Sequence, residues 1–155
     1  MSESIFKTLE EDFVVAHDLL GNKYKRPIKG FKFCVGVYGV LKQGKKILIQ
    51  RNPLVKKFAL PGGNIKIGES ILEGLVREFK EQTGLKVEDK RLIGIVEDMY
   101  TDKGDDSQRV LVFYELKEIG GKLLKEAEYM DVSELSIKNM QDSFWKGIEL
   151  FKKLK

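Results

Sequence analysis

The stretch that decides the fold is residues 63–85, which read GNIKIGESILEGLVREFKEQTGL. Five apolar residues in it recur at helical spacing and therefore lie on one side of a helix: Ile71, Leu72, Leu75, Val76 and Phe79. Gly84 follows at the position where a helix C-terminal cap is expected. The pattern predicts a helix over residues 69–82 that packs its apolar side on a sheet.

One edge of this helix carries acidic side chains. At about 100° per residue, Glu78 and Glu81 lie roughly 60° apart, and Gln82 lies roughly 40° from Glu78 on the other side. Gly74, one turn earlier, places no side chain above them, so we expect the edge to stay open to a ligand. Two carboxylates one turn apart repel each other unless a cation lies between them. Oxygen ligands of this kind suit Mg²⁺ or Mn²⁺, which also bind substrate phosphates.

Two acids on a helix edge more often form a solvated face, so by themselves they do not establish a metal site.

The composition limits the kinds of site that the protein can contain, because the 155-residue chain holds one histidine, His17, and one cysteine. An internal disulfide and a histidine-cluster metal site are therefore excluded. We identify no acid partner for His17 and expect it to be structural. The formal charge of +4 favours an anionic ligand over a nucleic acid.

The rest of the chain reads as one α+β domain over residues 1–155. Five strands are predicted from runs of β-branched and aromatic residues: 13–18, 33–41, 46–51, 92–99 and 110–116. Residues 1–32 hold the first strand and a basic segment, 52–57 and the polar stretch 101–109 are predicted loops, and a second helix is expected over 142–154. No signal peptide or bilayer-length apolar run is present, so we expect a cytoplasmic protein without membrane contact.

Seven residues of the segment 63–85 form a spaced pattern that can be compared with known signatures: Gly63, Glu69, Arg77, Glu78, Glu81, Gly84 and Leu85. This pattern resembles the signature of the Nudix hydrolases, G-x5-E-x7-R-E-φ-x-E-E-x-G-φ, where φ is apolar. One position departs from it, because Gln82 stands where the signature has a second glutamate. Weaker likeness extends over residues 33–135. The resemblance implies an α/β/α sandwich with a mixed sheet and flanking helices, which hydrolyses nucleotide-type small molecules with a divalent metal.

Carried over position by position, the resemblance implies the site residues. Catalytic roles would fall to Glu78, Glu81 and Arg77. The metal ligands would be Glu78, Glu81, Gln82 and Glu126, the last from a later loop. Substrate would contact Arg51, Gly62 and Gly63. Glu69 and Gly84 would support the structure.

Gln82 leaves two functions open. A glutamine offers a neutral amide oxygen, so it predicts a weaker metal site with a higher Mg²⁺ requirement or a preference for Mn²⁺. The first function is a Mg²⁺- or Mn²⁺-dependent hydrolase that cleaves the pyrophosphate bond of a nucleotide sugar, ADP-ribose or a nucleoside triphosphate. The alternative is a nucleotide-binding or regulatory module with weak or no catalysis. The resemblance also leaves a homodimer open.

Overall fold

A mixed sheet of nine strands forms the centre of the part that the structure, a computed structural model, describes: residues 12–51 and 56–154. The strands are β1 (Phe13–His17), β2 (Lys23–Pro27), β3 (Lys32–Gln43), β4 (Lys46–Arg51), β5 (Phe58–Ala59), β6 (Gly62–Asn64), β7 (Leu85–Asp102), β8 (Asp105–Gly121) and β9 (Ala127–Asp131). Their order is β2-β1-β7-β8-β3-β4-β5, with β6 paired to β3 and β9 to β4. The β1–β7 and β3–β8 pairs are parallel. Both termini of the predicted domain 1–155, and most of the predicted loop 52–57, lie outside the described residues.

Helices α1 (Ile71–Thr83) and α2 (Asp142–Lys153) cover opposite faces of this sheet. Val37 on β3 packs with Leu75 and Phe79 of α1, whereas the next residue, Tyr38, packs with Phe144 of α2. Successive side chains of a strand point to opposite faces, so the two helices enclose the sheet. The α+β sandwich predicted from the sequence is confirmed. Across the residues that the structure describes, no helix has the length and apolar character that a bilayer crossing requires.

The ends of α1 follow from local chemistry. The Ser70 hydroxyl accepts a hydrogen bond from the Glu73 backbone N–H at 3.1 Å, which caps the helix N-terminus. Gly84 adopts φ +80° and its N–H donates to the Lys80 carbonyl oxygen. The prediction of a helix over 69–82 is thus confirmed to within two residues at its start and one at its end.

The predicted loop 101–109 is wrong. Strand β7 continues to Asp102 and β8 begins at Asp105, with only Lys103 and Gly104, both at positive φ, forming the turn. Polar side chains on these strands are paired across the sheet, which gives the segment the composition of a loop. Asp98, for example, lies opposite Arg109 in the register. The stretch therefore forms a long hairpin that carries polar groups into the sheet.

The N-terminal hairpin β1–β2 contains part of the predicted basic segment. Its His17 pairs in parallel with Tyr100 of β7. Arg26 forms an ion pair with the buried carboxylate of Asp106 at 3.0 Å, and Lys32 forms one with Asp105 at the same distance. The Arg26 pair therefore ties β2 to the tip of the β7–β8 hairpin, whereas Lys32, on β3, and Asp105 form an exposed ion pair.

Candidate active site

The guanidinium of Arg77, in the middle of α1, is the centre of a hydrogen-bonded group that includes the loop before the helix. Its Nε donates to Glu69 Oε2 at 2.8 Å and its Nη2 to Glu69 Oε1 at 2.9 Å. Its Nη1 donates to Glu78 Oε1 at 2.8 Å, and Nη2 reaches the Asn64 carbonyl oxygen at 3.4 Å. Planar guanidinium donors match a carboxylate two at a time. Arg77 therefore ties the loop before the helix to the helix itself.

Glu69 is held as a carboxylate by these contacts. Hydrogen bonds from Arg77, together with one from the Lys66 backbone N–H at 2.9 Å, lower the pKa of Glu69 to about 2. A Cβ on Gly74 would lie 2.8 Å from Ile65 Cγ2 and 2.9 Å from Glu69 Oε1. The expectation of an open edge at Gly74 is therefore wrong, because Ile65 and Glu69 fill that space.

Two glycines let the backbone approach Glu78. A Cβ on Gly63 would lie 2.8 Å from both Cδ and Oε2 of Glu78, so a larger residue would displace the carboxylate. Gly62 adopts φ +149°, and a Cβ there would lie 2.1 Å from the Val37 carbonyl oxygen. Glycine is thus required at position 62, where the β3 backbone leaves no room, whereas a Cβ at position 63 would push aside the Glu78 side chain.

Gln82 and Glu81 flank Glu78 in different ways. Gln82 Oε1 accepts a hydrogen bond from the Gly62 N–H at 3.0 Å, and its Nε2 donates to the Gly62 carbonyl oxygen and to Glu78 Oε2. Glu81 is 60% exposed, and its Oε2 lies 3.6 Å from Arg77 Nη1. The Gln82 side chain is therefore engaged with the protein, whereas the Glu81 carboxylate faces solvent.

The donor chemistry of this corner fits a hard divalent cation. Glu78 and Glu81 supply carboxylate oxygens, yet within residues 12–51 and 56–154 no three His, Cys, Asp or Glu side chains are grouped to hold a metal. Mg²⁺ commonly binds through one or two carboxylates together with waters and substrate phosphates. The residues therefore suit a cation whose coordination is completed by water and substrate.

Two predicted site residues, Arg51 and Glu126, are not part of the hydrogen-bonded group around Arg77. Arg51 donates to Glu128 Oε1 at 2.6 Å, and its guanidinium lies 5.0 Å from the centre of the Phe58 ring. Glu126 is exposed in the turn before β9. In the described part of the chain, the hydrogen bonds around Arg77 include neither of them. Their roles in binding substrate and metal stay predictions.

A second polar cluster, on the other face of the sheet, was not anticipated. The Asp98 carboxylate is only 6% exposed and accepts hydrogen bonds from Arg109 Nε and Nη2 at 2.7 and 2.6 Å. It also contacts His17 Nε2 at 3.2 Å and accepts from the Ser143 hydroxyl. His17 thus has an acid partner after all. Recognising the polar alternation of β7 and β8 would have placed Asp98 opposite Arg109.

The partners of Asp98 keep it ionised. Burial by itself would raise the pKa of this carboxyl, but hydrogen bonds from Arg109, His17 and Ser143 together hold it well below its usual range. In turn, the hydrogen bond to Asp98 raises the pKa of His17 by more than burial lowers it. Folding therefore shifts the titration of His17 toward the imidazolium form, relative to a histidine with an unperturbed pKa.

This coupling predicts a pH dependence of stability. Because the folded-state pKa of His17 lies above 6.5, its contribution is fully present below pH 6.5 and is lost as pH rises through the folded-state pKa. We expect the free energy of unfolding to fall over that window. In His17→Gln, which keeps a donor but cannot titrate, this part of the decline should vanish. Urea unfolding at a series of pH values measures both proteins, and parallel pH profiles would contradict the assignment.

A cavity of about 680 Å³ opens beside this cluster, between the β1–β2 hairpin and the tip of the β7–β8 hairpin. Tyr24 and Tyr100 are among its lining residues, together with Leu20 and the buried Thr101, whose hydroxyl has no hydrogen-bond partner. Such a lining can receive a planar apolar ring that also carries a polar group.

The amino-acid sequence of this chain matches a family model and the sequences of known proteins. The family model described as NUDIX domain matches residues 30–151. The ADP-ribose pyrophosphatase of Methanocaldococcus jannaschii is 34% identical to this chain over an alignment of length 140, and the match covers 79% of this chain and 82% of that protein.

Solved structures share the fold. A MutT NUDIX hydrolase from Burkholderia pseudomallei superimposes with a TM-score of 0.63 at 19% identity, over 77% of this chain and 98% of that one. An ADP-ribose pyrophosphatase from Streptococcus suis does so with a TM-score of 0.55 at 22% identity, over 79% and 94%. At these identities the likeness concerns the arrangement of helices and strands.

Proposed function

The chain belongs to the Nudix hydrolase family and is a pyrophosphohydrolase of that family; from this premise we propose a divalent-metal-dependent reaction on a nucleoside diphosphate linked to another group. ADP-ribose is the first candidate substrate, because the archaeal relative with 34% identity acts as an ADP-ribose pyrophosphatase. Mg²⁺ or Mn²⁺ would be the metal, since the donors are carboxylate oxygens.

The observation that carries the proposal is the position of Glu78. Its carboxylate lies against the Gly63 backbone, one oxygen held by Arg77 and the other by Gln82, while the exposed Glu81 stands one turn further along α1. A diphosphate bound beside Gly63 would lie against the Glu78 carboxylate, with Glu81 one helical turn away. The carboxylates of Glu78 and Glu81 would repel the negative charge of the diphosphate unless a cation lay between the diphosphate and these side chains.

In the proposed reaction, Glu78, Glu81 and Arg77 have different roles. Glu78 and Glu81 hold the cation, and Arg77 keeps Glu78 in place through Nη1. A bound divalent metal neutralises diphosphate charge and lowers the pKa of water. Glu78 can accept a proton from the water whose oxygen attacks phosphorus, while the bridging P–O bond breaks. From ADP-ribose and one water the products are AMP and ribose 5-phosphate.

The remaining sequence predictions complete the proposal. Glu126 stays a predicted metal ligand, and Arg51, Gly62 and Gly63 stay predicted substrate contacts; Gln82, the other ligand predicted from the sequence, already has its amide bonded to Gly62 and Glu78. The cytoplasmic location and the homodimer are also predictions, and sedimentation of the purified chain would test the dimer.

A substrate panel tests the proposed function. ADP-ribose, nucleotide sugars, nucleoside triphosphates and dinucleoside polyphosphates are incubated with the protein and Mg²⁺, Mn²⁺ or EDTA, and products are separated by chromatography. We expect cleavage at the pyrophosphate with metal, fastest for ADP-ribose, and none with EDTA. Folded protein that turns over no member with either metal would overturn it. Tight nucleotide binding without cleavage would favour the binding module.

A further inference from the structure

The carboxamide of Gln82 joins two parts of the site at one point. Gln82 lies one turn after Glu78 on α1, and its amide contacts the Gly62 peptide through both its oxygen and its nitrogen. The same Nε2 also donates to Glu78 Oε2 at 3.0 Å. One side chain thus links the glycine loop to the carboxylate that the loop surrounds.

The chemistry of the partners determines which way the amide points. The Gly62 N–H can only donate, so it requires the Gln82 oxygen. The Gly62 carbonyl and the Glu78 carboxylate can only accept, so both require the amide nitrogen. A glutamate at position 82 could satisfy the first contact. Its second oxygen would then face the Gly62 carbonyl and Glu78, where three negatively polarised oxygens would meet.

A positive group is therefore needed between Glu78 Oε2 and the Gly62 carbonyl oxygen. The amide N–H groups of Gln82 supply it here, without net charge. A divalent cation would meet the same electrostatic requirement. The backbone at this point is also closely packed, since Gly62 has no room for a Cβ beside β3 and a Cβ at Gly63 would displace the Glu78 carboxylate.

We propose that Gln82 is a positioning residue whose amide nitrogen takes the place of a cation between Glu78 and the Gly62 carbonyl, so that this corner is assembled before any metal binds. The inference rests on the proposed function for its catalytic meaning. It differs from the role of oxygen ligand that the sequence predicts for Gln82. Glu78 and Glu81 would then be the carboxylates that hold the metal acting on substrate.

Thermal unfolding of the full chain, with EDTA or with saturating Mg²⁺, tests this without any substrate. In EDTA, Gln82→Glu loses two hydrogen bonds and gains repulsion, so its Tm should fall by roughly 4–8 °C below that of the original chain. Saturating Mg²⁺ should restore more than half of that loss, because the new carboxylate binds a cation where the amide nitrogen was. The original chain should show a much smaller shift.

Two further variants separate charge from position. Gln82→Met removes the same hydrogen bonds but offers no ligand, so its Tm should fall without a larger response to Mg²⁺. Gln43→Glu adds the same charge at an exposed position of β3 and should behave as the original chain does.

The proposal is overturned by any of three results: an unchanged Tm of Gln82→Glu in EDTA, an equal Mg²⁺ shift in both chains, or an unchanged Tm of Gln82→Met. A Gln82→Glu chain that fails to fold even with Mg²⁺ also overturns it, because the cation should then replace the amide. An inactive substrate panel combined with the expected Tm pattern would instead remove the proposed function and leave this positioning role.

Discussion

Replacing Glu81 by glutamine should lower kcat/KM for the pyrophosphate substrate by a factor on the order of 10² to 10³, while the fold stays intact. The reason is that this carboxylate is 60% exposed and contacts the protein only weakly, 3.6 Å from Arg77. Removing its charge therefore costs little folding energy. It does remove one of the two carboxylates that can hold the cation against the diphosphate.

The measurement is steady-state hydrolysis of ADP-ribose over a range of Mg²⁺ concentrations, with Tm recorded for the same samples. Glu73→Gln is the matched control, because Glu73 is an exposed acid on the same helix, two turns before Glu81. It should retain nearly full activity. Equal losses in the two variants, or full activity of Glu81→Gln, would contradict the assignment of Glu81.

The second large effect concerns stability. Asp98→Ala should lower the free energy of unfolding by about 3–5 kcal/mol, because it leaves the guanidinium of Arg109 without its carboxylate in a largely buried place. The same carboxylate is the partner of His17 on β1 and of Ser143 on α2. Its removal therefore loosens three elements from one another.

Urea unfolding at constant pH measures this effect. Asp89→Ala is the control, since Asp89 is an exposed acid on the same strand, and its free energy of unfolding should change by less than about 0.5 kcal/mol. Asp98→Asn keeps one acceptor oxygen and should fall between the two. A loss below about 1 kcal/mol in Asp98→Ala would show that Arg109 does not depend on it.

Helix α1 could be predicted closely because its signals are local. The apolar spacing lies within the helix and Gly84 directly follows it, whereas the Ser70 cap, one residue inside the predicted start, was not recognised. The contact between Arg77 and Glu69 also follows from spacing along the chain, since both fall on one side of the helix start. Such features need no knowledge of distant strands.

Both strands of the β7–β8 hairpin were predicted in part, but the extension of the hairpin through residues 101–109 could not be predicted because its polarity has a tertiary origin. Asp106 looks like a loop residue until Arg26 is placed beside it, and the burial of Asp98 becomes understandable only with Arg109 beside it. A single sequence does not show which cation will neutralise a buried acid. The same reason explains why His17 was assigned no acid partner.

The signature segment, residues 63–85, contains both kinds of feature: those that local spacing predicts and those that depend on tertiary contacts. The residue types at 78, 81 and 82 indicate a cation site, but they do not reveal that the Gln82 amide reaches the Gly62 peptide, twenty residues earlier. Nor does spacing show that Ile65 and Glu69 occupy the room above Gly74. These contacts depend on how the glycine loop folds against β3, which local propensity does not determine.

The most direct test of metal-dependent pyrophosphate hydrolysis at α1 is the cleavage of ADP-ribose, followed by ³¹P NMR while Mg²⁺ is titrated into metal-free protein. We predict that AMP and ribose 5-phosphate appear together in equal amounts, in proportion to bound metal, and that Glu81→Gln shifts or abolishes this dependence. Cleavage that proceeds equally in EDTA, or that is the same in Glu81→Gln, would contradict the assignment of this site.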